Sequence, residues 1–175
     1  ALLAGVRVPH PKARRAVARA LGAYKEERAA EALAKLARRA ATYFVESEAG
    51  RALGKTRLKK TWADVLRNTR KRSFQEVIRN GAFDGLVELD PLRALPVLEQ
   101  FAELGQPEPS RNAALAALGR CARETHKDEC KLRTRQRLEK VLDDGFFLDR
   151  MAALKALQDL RDPAAIPILE AFKSA

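Results

Sequence analysis

Few side chains in this 175-residue chain have types and spacings that could support catalysis or metal binding. Cys121, His126 and Cys130 lie close together in the sequence, but a tetrahedral zinc site needs a fourth ligand and the sequence offers no plausible one. A nucleophilic cysteine needs a lowered pKa, and no neighbouring residue pattern indicates one. We therefore interpret these three residues as ordinary helix and loop residues, and we predict no catalytic residue and no metal ligand in the chain.

Two further enzyme motifs are not matched by this sequence. His-Glu-x-x-His places two zinc ligands and a general base on one helix, but Pro follows His10 and Lys follows His126. Residues 50–56, Gly-Arg-Ala-Leu-Gly-Lys-Thr, are one residue short of a phosphate-binding Walker loop, and no strand precedes them. They are predicted to be the C-terminus of a helix. The chain by itself is therefore predicted not to be an enzyme.

The strongest chemical signal is positive charge. The chain contains 34 Lys and Arg against 23 Asp and Glu, and residues 1–87 hold 20 of the basic but only 8 of the acidic side chains. Residues 51–72, called the basic segment here, carry a single acid, Asp64. The nine cations of the basic segment are Arg51, Lys55, Arg57, Lys59, Lys60, Arg67, Arg70, Lys71 and Arg72.

Two interpretations of the basic segment remain open. Clustered cations attract anions from a distance, so these nine residues could form a surface that binds a peptide or another anion. Alternatively, they occupy solvated turns between helices, where long cations cost little and complement the dipole of a helix C-terminus.

Composition bears on location and on the extent of the domain. No run of about 18 uncharged apolar residues occurs, so no membrane contact is predicted. Two cysteines do not make a disulfide framework, and a reducing, cytoplasmic location is predicted. Because the chain does not begin with Met, we expect it to be the C-terminal part of a larger protein, with the apolar residues 1–8 contacting a preceding domain.

Apolar residues recur at intervals of three and four, which predicts amphipathic helices throughout. A helix ending in a small residue and Leu recurs at steps of 32, 33, 32 and 39 residues. Each such leucine follows a small or narrow residue four positions earlier, so neighbouring helices can approach closely. The longer last step predicts about six extra residues in the loop at 123–129. The repeat leucines are Leu21, Leu53, Leu86, Leu118 and Leu157.

Each repeat helix is followed by a second helix, which makes the unit a helical hairpin. Four of these second helices are predicted at residues 26–37, 92–104, 131–142 and 164–172. Two of them open on Asp-Pro, at Asp90 and Asp162, where Asp caps the helix and Pro occupies its first position. A second proline five residues later, Pro96 or Pro167, is expected to bend the helix.

The shared opening Asp-Pro-x-x-Ala-(Leu/Ile)-Pro-(Val/Ile)-Leu, the Ala-Leu-Gly helix ends and the repeat step resemble HEAT repeats. The resemblance implies an all-α fold, an α-solenoid of about five HEAT-like helical hairpins and about ten helices. A single domain over residues 1–175 is predicted.

Three stretches are more distinctive than a generic repeat. They are Tyr-Phe-Val-Glu-Ser-Glu-Ala at 43–49, Arg-Ala-Leu-Gly-Lys-Thr-Arg at 51–57 and Ser-Phe-Gln-Glu-Val-Ile-Arg-Asn-Gly-Ala-Phe-Asp-Gly-Leu at 73–86. Together they resemble the C-terminal HEAT-like region of bacterial gluzincin zinc aminopeptidases, best over residues 11–104. Gly81 and Gly85 also have a simpler explanation as close contacts between helices.

The resemblance implies a non-catalytic domain that closes the substrate cavity of an upstream zinc aminopeptidase domain and helps to bind peptide. The partners would be that upstream domain and the peptide substrate, whose acidic groups the basic segment would receive. No cofactor is expected in this chain, and zinc would bind in the upstream domain.

Two other functions stay open. One is a free-standing HEAT scaffold for protein–protein interaction. The other, less favoured, is a basic HEAT domain that grips nucleic-acid phosphates; one Trp and two Tyr offer little aromatic surface for a damaged base.

Overall fold

The computed structural model of the chain describes residues 2–173, apart from the side chains of Asp144 and Lys173. These residues form α-helices and short 3-10 helices, and they contain no β-strand. The all-α class predicted from the sequence is confirmed. The ten α-helices within 2–173 are α1 (Pro11–Leu21), α2 (Glu27–Arg38), α3 (Tyr43–Lys55), α4 (Trp62–Asn68), α5 (Val77–Leu89), α6 (Pro91–Phe101), α7 (Glu108–Glu124), α8 (Asp128–Asp144), α9 (Phe147–Leu160) and α10 (Ile166–Lys173). The 3-10 helices are Leu2–Arg7, Lys59–Thr61, Phe74–Glu76 and Pro163–Ala165.

The chain divides into two compact units, Ala1–Asp90 (unit 1) and Pro91–Ala175 (unit 2). In unit 1, α3 packs between α1 and α5, while α2 and α4 form a second layer against them. The N-terminal 3-10 helix contacts α1 and α2. In unit 2, α7 packs against α6, α8 and α9, and α8 also contacts α9. Two layers of consecutive antiparallel helices are the arrangement of HEAT-like solenoid repeats, as predicted.

The repeat leucines occupy the helices that the sequence period indicates. They lie in α1, α3, α5, α7 and α9, and none is more than 2% exposed. Ala49, Ala82, Ala114 and Ala153, each four residues before a repeat leucine, are fully buried. Burial of one leucine side chain stabilises the fold by about 2–3 kcal/mol relative to exposure. The repeated Ala-x-x-x-Leu pattern therefore supplies the core of both units.

Small residues allow unusually close helix contacts within each unit. A Cβ atom added at Gly54 in α3 would lie 2.2 Å from the carbonyl oxygen of Gly85 in α5. One added at Gly81 would lie 2.4 Å from the carbonyl oxygen of Ser47. In unit 2, Gly119 of α7 makes an equally close approach to α9. The prediction that Gly81 and Gly85 are close helix contacts is confirmed.

The extra residues of the 39-residue step lie in helices, so the prediction of a longer loop at 123–129 is wrong. α7 and α8 are 17 residues long each, and only residues 125–127 separate them. Extending α7 buries Cys121 and Ala122, which a loop at this place would leave less well packed. His126, the middle residue of this turn, has a left-handed backbone at φ 55°.

The two Asp-Pro openings fold differently. Pro91 begins α6 directly, and Pro96 lies inside that helix, which ends at Phe101. At the second opening, Asp162 accepts a hydrogen bond from the Ala164 amide at 3.0 Å, and a 3-10 turn precedes α10. Pro167 therefore falls in the first turn of α10, where a missing amide costs little, so the bend expected at Pro167 is not required.

The described helices are also too short or too polar for any of them to cross a lipid bilayer.

Candidate functional site

The α3–α4 hairpin separates the basic segment into two groups. The chain turns back after α3 at residues 56–61 and leaves α4 at residues 69–73. The second turn lies beside the end of α2, because Lys71 Nζ donates a hydrogen bond to the carbonyl of Arg38 at 2.6 Å. A helix the length of α3 spans roughly 20 Å. Lys55, Arg57, Lys59 and Lys60 therefore lie at one end of the hairpin, and Arg70, Lys71 and Arg72 lie at the other.

Several cations of the basic segment are neutralised within unit 1. Arg51 Nε lies 2.8 Å from Asp84 Oδ2, and Arg67 Nη1 lies 2.9 Å from Asp64 Oδ1. At the hairpin turn, Arg57 approaches Glu88 at 3.8 Å. The contacts of Arg51 and Arg57 reach α5, and that of Arg67 lies within α4, so these cations contribute less to any external surface.

Lys60 at the same turn pairs with Glu27, the first residue of α2. Hydrogen bonding from Lys60 and then its charge lower the pKa of Glu27, against a smaller opposing effect of desolvation. Both side chains remain largely in solvent, so this pair is a contact between turns, and Lys60 is partly engaged before any ligand arrives.

Lys71 has a structural role at the end of α2. Its ammonium donates to the carbonyl oxygens of Ala37 and Arg38 at 2.8 and 2.6 Å, and it contacts Glu46 Oε2 at 2.7 Å. No backbone amide of α2 donates to these two carbonyls, because they belong to the last turn of the helix. Lys71 therefore caps one helix and links it to the start of the next, and it is not a free cation.

An equivalent cap recurs along the chain at the position seven residues before four of the five repeat leucines. Arg14 donates to Val8 O at 2.7 Å, Arg79 to Thr69 O at 2.6 Å, Arg111 to Ala102 O at 3.1 Å and Arg150 to Asp143 O at 3.0 Å. Each carbonyl belongs to the segment that precedes the repeat helix. In the second repeat this position holds Glu46, and Lys71 supplies the cation instead. In the second repeat, Lys71 therefore replaces the arginine that binds the preceding segment in the other four repeats.

A buried carboxylate, Glu48, organises the outer side of α1 and α3. Arg19 contacts it at 3.1 Å, and Arg15 and Arg51 contact it at 3.4 Å. Burial raises the pKa of Glu48, but the hydrogen bond from Arg19, the charges of Arg51 and Arg19 and the hydrogen bond from Arg15 outweigh burial and lower it. Arg15 also lies over the ring of Phe44 at 5.8 Å. Three guanidinium groups contact Glu48, and one of them, that of Arg51, also pairs with Asp84, so this cluster keeps excess positive charge.

Four cations of the basic segment are left without an acidic partner among residues 2–173. They are exposed; Lys55 is the last residue of α3, and the other three lie in the two turns. This agrees with the solvated-turn interpretation for their position and leaves them available to a ligand. These four residues are Lys55, Lys59, Arg70 and Arg72.

A strongly cationic cavity lies outside the basic segment. A groove of about 570 Å³, called the α2 groove here, separates the N-terminal 3-10 helix from α2. Its only acid is Glu31, which has no ion pair within the part of the chain that the structure describes. Its four exposed basic side chains likewise have no acidic partner there. These cations are Arg7, Arg28, Lys35 and Arg39, and the apolar lining residues are Leu3, Ala4, Val6, Ala32 and Leu36.

The reasoning from sequence missed the α2 groove because it followed the density of charge along the chain. Arg28 and Lys35 are seven residues apart, so they lie on one face of a helix, and Arg39 follows immediately after the helix end. This spacing was a usable signal. The part played by Arg7 was not predictable, because it depends on how the N-terminal 3-10 helix folds back onto α2.

Unit 2 contains a different kind of pocket, of about 350 Å³, at the turn before α7. Arg111 and Asp149 form an ion pair beside it, with only 9% and 3% of their side chains exposed. Its rim is apolar, since Leu104 and Phe146 are 74% and 75% exposed. The other repeats have Ala, Val, Ile or Ser at the position of Asp149, eight residues before the repeat leucine. A carboxylate at this repeat position was therefore a sequence signal that a cation is buried beside it.

The three residues considered for zinc do not form a ligand set. Cys121 is buried and donates through Sγ to the Pro91 carbonyl at 3.3 Å, whereas His126 is exposed in the following turn. Cys130 is half-buried in α8. Over residues 2–173, no group of three or more His, Cys, Asp and Glu side chains is placed to hold a metal ion.

Comparison with known proteins supports the repeat architecture. The family model described as PBS lyase HEAT-like repeat matches residues 13–42 and 149–174. The first match covers α1 and α2, and the second covers most of α9 and α10, which are the first and last hairpins. No curated protein matches the chain. The chain is therefore a HEAT-like helical repeat protein, and the link to zinc aminopeptidases stays a prediction.

Proposed function

We propose that the chain is an interaction scaffold whose unit 1 binds an acidic segment of a partner protein. The observation that carries the proposal is the set of exposed cations in unit 1 that have no acidic partner among residues 2–173. Many acids of unit 1 are already engaged, as Glu46, Glu48 and Asp64 show. Helical repeat proteins offer rows of turns and helix faces to their partners. The surplus charge gives one of these surfaces a preference for acidic ligands.

The physical basis of the preference is long-range attraction followed by local pairing. Exposed cations steer an acidic segment to the surface and speed its association, and salt weakens both effects. Exposed ion pairs contribute only about 0–1 kcal/mol each, so several must act together. A partner without clustered acids would gain nothing from this surface.

The test is the binding of a fluorescently labelled peptide of alternating Glu and Leu, about six residues long, to the 175-residue chain. Fluorescence anisotropy is measured at about 50 and about 300 mM NaCl, beside a peptide in which Gln replaces Glu. We expect the Glu peptide to bind, with a Kd at least about fivefold weaker at the higher salt, and the Gln peptide to bind more weakly.

A matched pair of variants separates local binding from net charge. Arg70→Glu with Arg72→Glu removes two free cations from unit 1, and Lys127→Glu with Lys140→Glu makes the same change of charge in unit 2. We expect a loss of about fivefold in affinity from the first pair and less than about twofold from the second. Equal losses would reduce the effect to net charge, and no binding by the unaltered chain would refute the proposal.

A narrower proposal concerns a larger protein, in which this chain would follow a zinc aminopeptidase domain and help to bind its peptide substrate. Residues 43–86 support it by their resemblance to that group. Part of the resemblance also has a packing explanation, since Gly81 and Gly85 lie at the α3–α5 contact. Reading the coding sequence upstream of Ala1 tests this proposal. His-Glu-x-x-His with a later Glu ligand would support it, and a complete coding sequence without that motif would refute it.

A further inference from the structure

The geometry points to the α2 groove as the site that receives the acidic segment, and to an extended peptide with alternating acidic and apolar side chains as its ligand. This inference rests on the proposed function and names the surface and the ligand. It adds residues that the basic segment does not include, chiefly Arg28 and Lys35.

The cations of the α2 groove form a line. Arg28 and Lys35 lie two turns apart on one face of α2, roughly 10 Å along the helix axis, and Arg39 lies about 6 Å further on. The 3-10 helix contributes Arg7 from the opposite wall. The side chain of Lys71 bonds to the carbonyl of Arg38, so the turn that carries Arg70 and Arg72 lies beside the end of α2.

A line of charges selects an extended ligand over a compact one. The distance from Arg28 to Arg39 is roughly 16 Å, which about five residues of an extended peptide cover at 3.3 Å each. A single phosphate or carboxylate could meet only one or two of these cations. A peptide with carboxylates on every second residue can pair with several of them at once.

The apolar part of the groove distinguishes the ligand further. Leu3, Val6 and Leu36 line it beside the cations, and Leu3 is 42% exposed. In an extended peptide successive side chains point to opposite sides, so acidic residues can face the cations while apolar residues cover the exposed parts of Leu3 and Val6. Covering exposed apolar surface contributes about 25 cal/mol per Å². The groove lining contains no aromatic ring, whereas single-stranded nucleic acids are commonly bound by stacking on aromatic side chains.

Glu31 lies in the same groove, and its replacement tests whether charge contributes to peptide binding. It is the only carboxylate of the lining, and no cation among residues 2–173 pairs with it. A bound acidic peptide would be repelled by it, so Glu31→Gln should tighten binding by about twofold. A ligand that owed its affinity to apolar contact alone would not respond to this change.

The experiment measures anisotropy of the labelled Glu-Leu peptide with the 175-residue chain and two charge-matched variants within unit 1. Arg28→Glu with Lys35→Glu alters the groove, and Lys55→Glu with Lys59→Glu alters free cations at the hairpin turn. We expect at least about a tenfold loss of affinity for the groove variant and less than about twofold for the turn variant. Circular dichroism of each variant checks that the helices remain folded.

The outcomes separate this inference from the proposed function. Peptide binding that responds to Arg70→Glu with Arg72→Glu but not to the groove variant would overturn the groove and leave the proposed function in place. No binding of the peptide by the unaltered chain would overturn both. A labelled oligothymidine that binds more tightly than the peptide, with the same loss in the groove variant, would replace the peptide by a nucleic acid and overturn the inference.

Discussion

In unit 1 the buried carboxylate of Glu48 faces three arginines that reach into solvent, whereas in unit 2 the buried carboxylate of Asp149 faces Arg111, which is itself buried. Both carboxylates lie on repeat helices, α3 and α9, within nearly the same helical turn of the repeat. At these two carboxylates, the paired cations reach solvent in unit 1 and are enclosed in unit 2. The same hairpin can carry either arrangement, because the helix faces outside the leucine core are free to vary.

The exposed surfaces of the two units differ in the same sense. Unit 1 exposes cations without acidic partners in residues 2–173, along the α2 groove and in the turns of the basic segment. Unit 2 exposes more of the large apolar side chains, among them Phe146 and Phe147 at 75% and 74%, although Phe44 and Phe74 of unit 1 are also more than half exposed. Their repeat cores are alike, so we expect the proposed binding of an acidic ligand at unit 1 and not at unit 2.

The largest effect is expected from breaking the enclosed ion pair. Asp149→Ala leaves Arg111 buried without its carboxylate, which should lower the free energy of unfolding by about 4 kcal/mol. Glu48→Ala should cost less, about 1–2 kcal/mol, because its arginines can turn into solvent. Urea denaturation followed by circular dichroism measures both. Equal losses would mean that the two units do not differ in how they hold charge.

The next effect tests the helix contacts that both units share. A Cβ atom at Gly119 would lie 1.8 Å from the carbonyl oxygen of Ala156, so Gly119→Ala should destabilise the fold by about 3 kcal/mol. Gly50→Ala is the control, since the nearest atom is the end of the Asn68 side chain at 3.3 Å. Thermal unfolding of the two variants compares them. A stable Gly119→Ala protein would contradict the close packing of α7 against α9.

A smaller effect is expected from the cap at the end of α2, which Lys71 provides. Lys71→Met keeps the aliphatic stem but removes the bonds to two carbonyls and Glu46, which should cost about 1.5 kcal/mol. Arg70→Met, one residue earlier and exposed, should change stability by less than about 0.5 kcal/mol. Chemical denaturation measures the difference. If both variants lose the same stability, Lys71 is an ordinary surface cation as the solvated-turn interpretation states.

The smallest effect is a change in pH dependence. The pKa of Glu48 is lower in the folded chain than its ordinary value of 4.5, so its charge stabilises the fold above that pH. This stabilisation is lost as the pH falls through the lower, folded pKa. Glu48→Gln should therefore make the decline of stability below pH 4.5 less steep. Unfolding midpoints measured across the acid range check this, and an unchanged slope would deny Glu48 a role in acid stability.

The repeat helices could be predicted from sequence because their signal is local. The leucines at Leu53 and Leu86 and the alanines four residues before them specify a buried helix face within a single turn. Close contacts at Gly81 and Gly85 follow from the absence of side chains. The boundary at 123–129 was missed because helix extension there depends on burying Cys121 against the rest of unit 2.

The charged contacts could not be predicted in the same way. Lys71 meets Glu46 across 25 residues, and Arg111 meets Asp149 across 38 residues. Which side chains face each other at such separations depends on helix lengths and stagger, which composition does not encode. Charge density along the chain therefore pointed to the basic segment, although several of its cations are engaged internally and the α2 groove lies elsewhere.

The most direct measurement is amide hydrogen exchange of the 175-residue chain with and without a saturating amount of the Glu-Leu peptide. We expect slower exchange in the N-terminal 3-10 helix and in α2, with little change in α7 and α9. Protection confined to the turn before α7 and the start of α9, beside Leu104 and Phe146, would contradict this expectation, because binding would then belong to the apolar surface of unit 2.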